Sequence, residues 1–129
     1  MMIEKYLDKF WVAGEYDCWG LVRDVYKTEL GIQLPPIIVS LDGNKYSPKD
    51  VLKEFKNSDC YRLFKPIFPP VDFCVCLMGI VVADSPPVHI GVYYQGRILH
   101  NEQHGTVVFE TIHSAKSRWS LKGYYQCLS

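Results

Sequence analysis

His89-Ile90-Gly91-Val92-Tyr93-Tyr94-Gln95-Gly96-Arg97-Ile98-Leu99-His100-Asn101 is the stretch on which the fold turns. Two runs rich in β-branched and aromatic residues flank Gln95-Gly96, the signature of a tight β-hairpin. A two-residue turn pairs Tyr94 with Arg97, Tyr93 with Ile98, Val92 with Leu99 and Gly91 with His100. Side chains alternate along a strand and paired residues share a face. His89, Gly91 and Tyr93 therefore lie on one face with Ile98, His100 and Glu102, and Asn101 points the other way. His89 and His100 are diagonal neighbours, roughly 7–8 Å apart at the backbone. Gly91 leaves room between their rings.

Outward from the hairpin, further strands are predicted over Tyr61–Ile67, Asp72–Val82, Thr106–Ile112 and Lys122–Leu128. Helices precede them. Met2–Phe10 places Ile3, Tyr6, Leu7 and Phe10 on one face. Asp17 can cap a helix over Cys18–Leu30, with Leu21, Val22, Val25 and Tyr26 at helical spacing and Gly31 after its end. Ser47 can cap a third, Pro48–Lys56, with proline at its first position. Leu41–Tyr46, Pro69-Pro70 and Pro86-Pro87 read as loops. Helices first and an antiparallel sheet afterwards is the α+β pattern.

The chain has 129 residues, 48% of them hydrophobic, enough for a single domain over 1–129 with its own core. Fourteen basic and fourteen acidic residues balance, which argues against a nucleic-acid partner. No stretch reaches the roughly 18 apolar residues of a membrane helix. The N-terminus has no basic start followed by an apolar core, so no signal peptide is expected. Cys18, Cys60, Cys74, Cys76 and Cys127 do not form a secreted disulfide framework and read as thiols made in a reducing cytoplasm.

Of the five, Cys18 has a chemically suggestive setting. It follows the cap of a helix, where free N–H groups and the helix dipole favour a thiolate. Gly20 leaves room beside the sulfur. His89 on the hairpin supplies a base and His100 a group to orient it, the arrangement that activates a nucleophile. His104 and His113 show no partner pattern and are expected at the surface. Cys74-Val75-Cys76 lacks zinc-ligand spacing, and Cys74, Cys76 and Met78 read as one side of a buried strand. No metal or cofactor is expected. Trp19 and Trp119 are candidates to line a groove.

Asp17-Cys18-Trp19-Gly20-Leu21-Val22-Arg23, followed by Tyr26, Leu30-Gly31-Ile32 and Leu34-Pro35, resembles the nucleophile segment of NlpC-type cell-wall cysteine peptidases. The Trp-Gly-Leu-Val-Arg form is similar to the subgroup found in bacteriophage tails. His89-Ile90-Gly91-Val92-Tyr93 and Gly96-Arg97-Ile98-Leu99-His100 resemble that family's histidine hairpin. Thr106–Glu110 and Gly123-Tyr124-Tyr125 are similar to the subgroup's last strands. The resemblance implies a papain-like fold, with N-terminal helices packed on an antiparallel sheet. It implies Cys18 as nucleophile, His89 as general base and His100 as the residue that orients His89. It implies hydrolysis of peptidoglycan stem peptides at D-γ-glutamyl to diamino-acid bonds, during tail assembly or DNA entry. The alternative is a catalytically silent structural part of the tail tip. The partners implied are stem peptides and other tail-tip proteins, for a protein made in the host cytoplasm and carried in the virion tail. The family's tyrosine upstream of the nucleophile has Tyr6, Tyr16 and, as a substitute aromatic, Trp11 as candidates.

Overall fold

The computed structural model describes residues 1–37, 48–81, 85–103 and 105–128, without the side chains of residues 48 and 49. Ser47, the loop 41–46, Val82 and His104 lie outside the described residues. The elements run α1 (Glu4–Leu7), α2 (Cys18–Val25), α3 (Pro48–Asn57), β1 (Phe64–Pro66), β2 (Val75–Gly79), β3 (His89–Tyr94), β4 (Arg97–Asn101), β5 (Val107–Thr111), α4 (Ile112–Ala115) and β6 (Ser120–Cys127). The strands form one antiparallel sheet in the order β1-β6-β2-β3-β4-β5. The architecture is α+β, with α1, α2 and α3 ahead of the sheet and the single turn α4 between β5 and β6.

The hairpin keeps the register read from its turn: Tyr94 pairs with Arg97, Tyr93 with Ile98, Val92 with Leu99 and Gly91 with His100. Gln95 and Gly96 both take positive φ, 48° and 80°, as a type I′ turn requires. Asp72 helps hold the turn, its Oδ1 accepting from the Gln95 amide at 2.8 Å.

Two layers of apolar side chains cover the two faces of the sheet. Leu21, Val22 and Val25 of α2 pack with Leu77, Ile90 and Val92 on one face, and Val51, Leu52 and Phe55 of α3 extend that layer. On the other face Cys76, Met78 and Ile98 lie beneath Ala115, with Trp119 and Leu121 against them. Burial of each Leu, Val or Ile side chain contributes about 1.5–3 kcal/mol.

Several elements differ from their sequence patterns. α1 is a single turn, not a helix to Phe10. Phe10 is 69% exposed and bridges to Thr106, and the Val107 amide bonds the Lys9 carbonyl at 3.2 Å. The edge strand β5 takes the segment that helical spacing assigned to α1. The predicted strand over 61–67 begins as a 3-10 turn, Asp59–Leu63, and only Phe64–Pro66 pairs with β6. β2 cannot begin at Asp72 because Phe73 sits at φ 70°, which breaks the extended backbone before Val75. The strand predicted over Thr106–Ile112 stops at Thr111, whose side chain accepts from the Ser114 amide and caps the one-turn helix α4 that begins at Ile112. The predicted helix over 18–30 is present, but its last turn, Tyr26–Leu30, widens to π geometry before Gly31 closes it at φ 66°.

Candidate active site

Asp17 caps α2: its Oδ1 accepts from the Gly20 amide at 2.8 Å, and Cys18 is the first residue of the helix. The segment before the cap is a tight loop, with Val12 and Tyr16 bonding each other through both amides. β4 anchors that loop from across the molecule, since Asn101 Nδ2 donates to the Tyr16 carbonyl at 2.7 Å. Gly20 is needed for a close backbone approach. A Cβ there would meet the Glu15 carbonyl oxygen at 2.7 Å, so the residue makes room for the chain itself and not for a bound molecule.

The Cys18 thiol is 1% exposed and belongs to the α2-side core. Burial, reinforced by the neighbouring Asp17 carboxylate, pushes the thiol up to about 12. The backbone groups of Ile90, Trp19 and Cys18 itself pull the other way and do not prevail. The helix terminus alone had suggested a thiolate; in the folded chain, loss of water outweighs the helix dipole. Ile90 immediately follows His89, so the start of α2 meets the start of β3.

His89 and His100 are brought together. His89 Nε2 and His100 Nδ1 lie 2.8 Å apart, both residues buried, with ring planes at 72°. Gly91 makes this approach possible: a Cβ there would sit 2.9 Å from His100 Cβ and 2.7 Å from Ile98 Cγ2. Trp119 stacks on the His89 ring, with centroids 4.6 Å apart and planes at 18°. Burial first, then His100 and Arg118, hold His89 well below the usual histidine range, so it is neutral at pH 7. Burial also lowers His100, against the opposing pull of Glu110 and Glu102.

Behind His100 stands a charged group that sequence reading did not assemble. His100 Nε2 lies 2.5 Å from Glu110 Oε2. Arg118 donates to both Glu110 oxygens, at 3.2 and 2.6 Å, and to Glu102 Oε1 at 2.7 Å. Ser114 Oγ donates to Glu110 Oε1 at 2.7 Å, and Trp119 Nε1 to Glu102 Oε1 at 3.0 Å. Burial works to raise Glu110, but bonds from Arg118, Ser114 and His100 outweigh it and hold the carboxyl at about 2. Register could have found Glu110. It pairs with Ile98, which puts it on the His100 face of the sheet. Arg118 lies in the turn after α4 and has no periodic signal.

His100, Glu102 and Glu110 offer ligand atoms within 4.8 Å of one another. Arg118 already bonds both carboxylates, so a cation there would have to displace the guanidinium.

The structure does not join Cys18 to the imidazole pair: Cys18 packs on the α2 face of the sheet with Ile90 and Val92, whereas His89, paired with Met78 and stacked on Trp119, lies on the other face. Tyr6 and Tyr16 direct their hydroxyls to Glu29 and Asp24, at 2.8 and 2.5 Å, and so away from any direct partnership with the thiol. His113 is exposed. All five cysteines are free thiols. Trp19 is buried against Phe55, whereas Trp119 forms part of the wall of an open groove of about 900 Å³ with Tyr124, Phe68, Lys116 and Lys122. No family model matches the chain, and no curated protein matches its sequence.

Proposed function

We propose that this chain is a cysteine peptidase of the NlpC type with a papain-like arrangement, acting on peptidoglycan stem peptides as part of a phage tail tip. The observation that carries the reading is the buried His89–His100 bond, with a cysteine at the first position of a capped helix whose start meets β3 from the other face of the sheet. In this mechanism His89 takes the proton from Cys18 Sγ. The thiolate attacks the carbonyl of a D-γ-glutamyl to diamino-acid amide. The Cys18 backbone N–H, at the helix start, stabilises the oxyanion. Collapse of the tetrahedral adduct breaks the C–N bond, and His89 returns its proton to the leaving amine. Water, deprotonated by His89, then hydrolyses the thioester. His100 keeps the His89 ring in place throughout.

In this reading the peptide lies in the groove beside Trp119, which none of Cys18, His89 and His100 lines directly. Its wall includes the ring that covers His89, and Lys116 and Lys122 offer partners for the free carboxylates of a γ-linked stem peptide. Among the described residues no helix is long and apolar enough to cross a membrane.

One observation favours the second reading, a catalytically silent tail-tip component. Cys18 is buried, protonated and not bonded to His89. Under the first reading, substrate or a tail partner must open the helix start and bring the thiol and the His89 ring to one side of the sheet before the thiol can react.

Digestion of purified peptidoglycan by wild type and by Cys18→Ala, with mass spectrometry of the released fragments, separates the two. New stem-peptide fragments from wild type alone establish the peptidase and identify the bond. Fragments from neither protein place the weight on the structural role. Equal release by both removes Cys18 as nucleophile.

A further inference from the structure

We infer that Glu110, locked by Arg118, sets the proton positions along the buried histidine pair and makes His89 Nδ1 its one basic nitrogen. Glu110 is a positioning residue in this scheme, acting on His89 through His100.

The inference follows from counting donors. Glu110 is surrounded by groups that can only donate to it or that donate as placed here. Both Arg118 terminal nitrogens point at its two oxygens, and the Ser114 hydroxyl adds a third contact. Arg has no acceptor and stays charged. A carboxylate in that setting accepts, and it carries no proton to give. The ring nitrogen facing it, His100 Nε2, must therefore hold the hydrogen of their 2.5 Å contact.

A neutral imidazole has one N–H and one bare nitrogen. With its hydrogen on Nε2, His100 presents Nδ1 as an acceptor. The atom 2.8 Å from that acceptor is His89 Nε2, which must donate. His89 is neutral for the same reason of burial, so its Nδ1 is left bare. The direction of three hydrogen-bonding groups is thus fixed from one end by a single ionised carboxylate.

Glu102 does not compete for this role. Its Oε1 lies 3.8 Å from His100 Nδ1, beyond hydrogen-bonding distance, and takes bonds from Arg118 and Trp119. A proton taken up at His89 Nδ1 would leave the Nε2–H to His100 bond intact. The new positive charge would then sit two hydrogen bonds from the Glu110 carboxylate. The link of this nitrogen to Cys18 rests on the peptidase reading, but the proton positions do not.

The test is nitrogen-15 NMR of the imidazoles in the full-length protein near neutral pH. Coupling across the hydrogen bond between His89 Nε2 and His100 Nδ1 assigns the two rings. Both Nε2 atoms are expected in the protonated range and both Nδ1 atoms in the bare range. A protonated His89 Nδ1, or a doubly protonated His100, overturns the inference in the wild type alone. Glu110→Ala, and Glu110→Leu where the smaller residue unfolds the chain, should split His89 between its two tautomers. A single unchanged tautomer in a folded variant also overturns it. Because the readout is a proton position, it can fail while peptidoglycan digestion succeeds, and the reverse.

Discussion

His89 Nε2 lies 2.8 Å from His100 Nδ1 across two neighbouring strands, and the space for this contact comes from Gly91, the residue paired directly with His100. The geometry of the pair therefore depends on a missing side chain as much as on the two that are present.

Gly91→Ala should separate the rings. The added methyl would meet His100 Cβ, Ile98 Cγ2 and the Leu99 carbonyl oxygen, all closer than 3.0 Å. Two of these atoms are fixed by the backbone, so the strand must shift. Overpacking of this kind costs about 1–3 kcal/mol. The urea midpoint should fall accordingly, and the coupling between the two imidazoles should weaken. An unchanged midpoint would show that the hairpin yields more easily than its register implies.

Cys18 should be the slow thiol. At pH 7 a group near 12 holds about three thousandfold less thiolate than a free cysteine, whose value is about 8.5. Iodoacetamide should label the half-buried Cys127 first, read by mass spectrometry of tryptic peptides. Labelling of Cys18 ahead of Cys127 at neutral pH would mean that the helix start opens readily in solution.

Asp17 has two separable effects on α2. Its carboxylate caps the helix through Gly20, and its charge disfavours the Cys18 thiolate. Asp17→Ala should cost about 1 kcal/mol of stability through the lost cap. Asp17→Asn keeps the cap and removes the charge. Its expected effect is little change in thermal midpoint, with the pH at which Cys18 labels moved downward. If Asn and Ala were equally destabilising, the carboxylate would be acting by charge and not as a hydrogen-bond acceptor.

Acid should destabilise the protein in two stages. His89 and His100 have folded values below the ordinary 6.5, so the unfolded chain binds their protons first. Stability is full above about 6.5 and declines as pH falls below it. Glu110 has a folded value of about 2 against an ordinary 4.5. Its contribution is present above 4.5 and is lost as pH falls from there toward 2. Thermal midpoints across pH 8 to 3 should show both declines. His89→Gln should shrink the first, leaving the share that His100 contributes, and leave the second. A midpoint independent of pH between 7 and 5 would contradict the neutral, buried state of the pair.

What the sequence discloses here follows the range of the physics involved. The hairpin register, the Asp17 cap and the Gly31 terminus are decided by residues within a few positions of one another, and all three are present. The burial of Cys18 depends on how β3 and the core close over the helix start, which no local pattern encodes. Arg118 reaches Glu102 and Glu110 from a turn after α4, so the acidic side of the histidine pair exists only once the sheet has formed. Phe10 illustrates the same limit. Its spacing suits a helix face, but pairing with Thr106 claims it. The α+β class was legible; the grouping of charge behind His100 was not.

The two borders of the sheet also govern how this protein can meet others. β1 ends in Pro66, which has no N–H to offer, and is only three residues long. At the opposite border the chain's own N-terminal segment occupies the start of β5 through the Lys9 and Phe10 contacts. These contacts cover Thr106 and Val107, the first part of that edge. At the β1 border the exposed Lys65 adds a charge beside Pro66, and the two together discourage edge-to-edge pairing there.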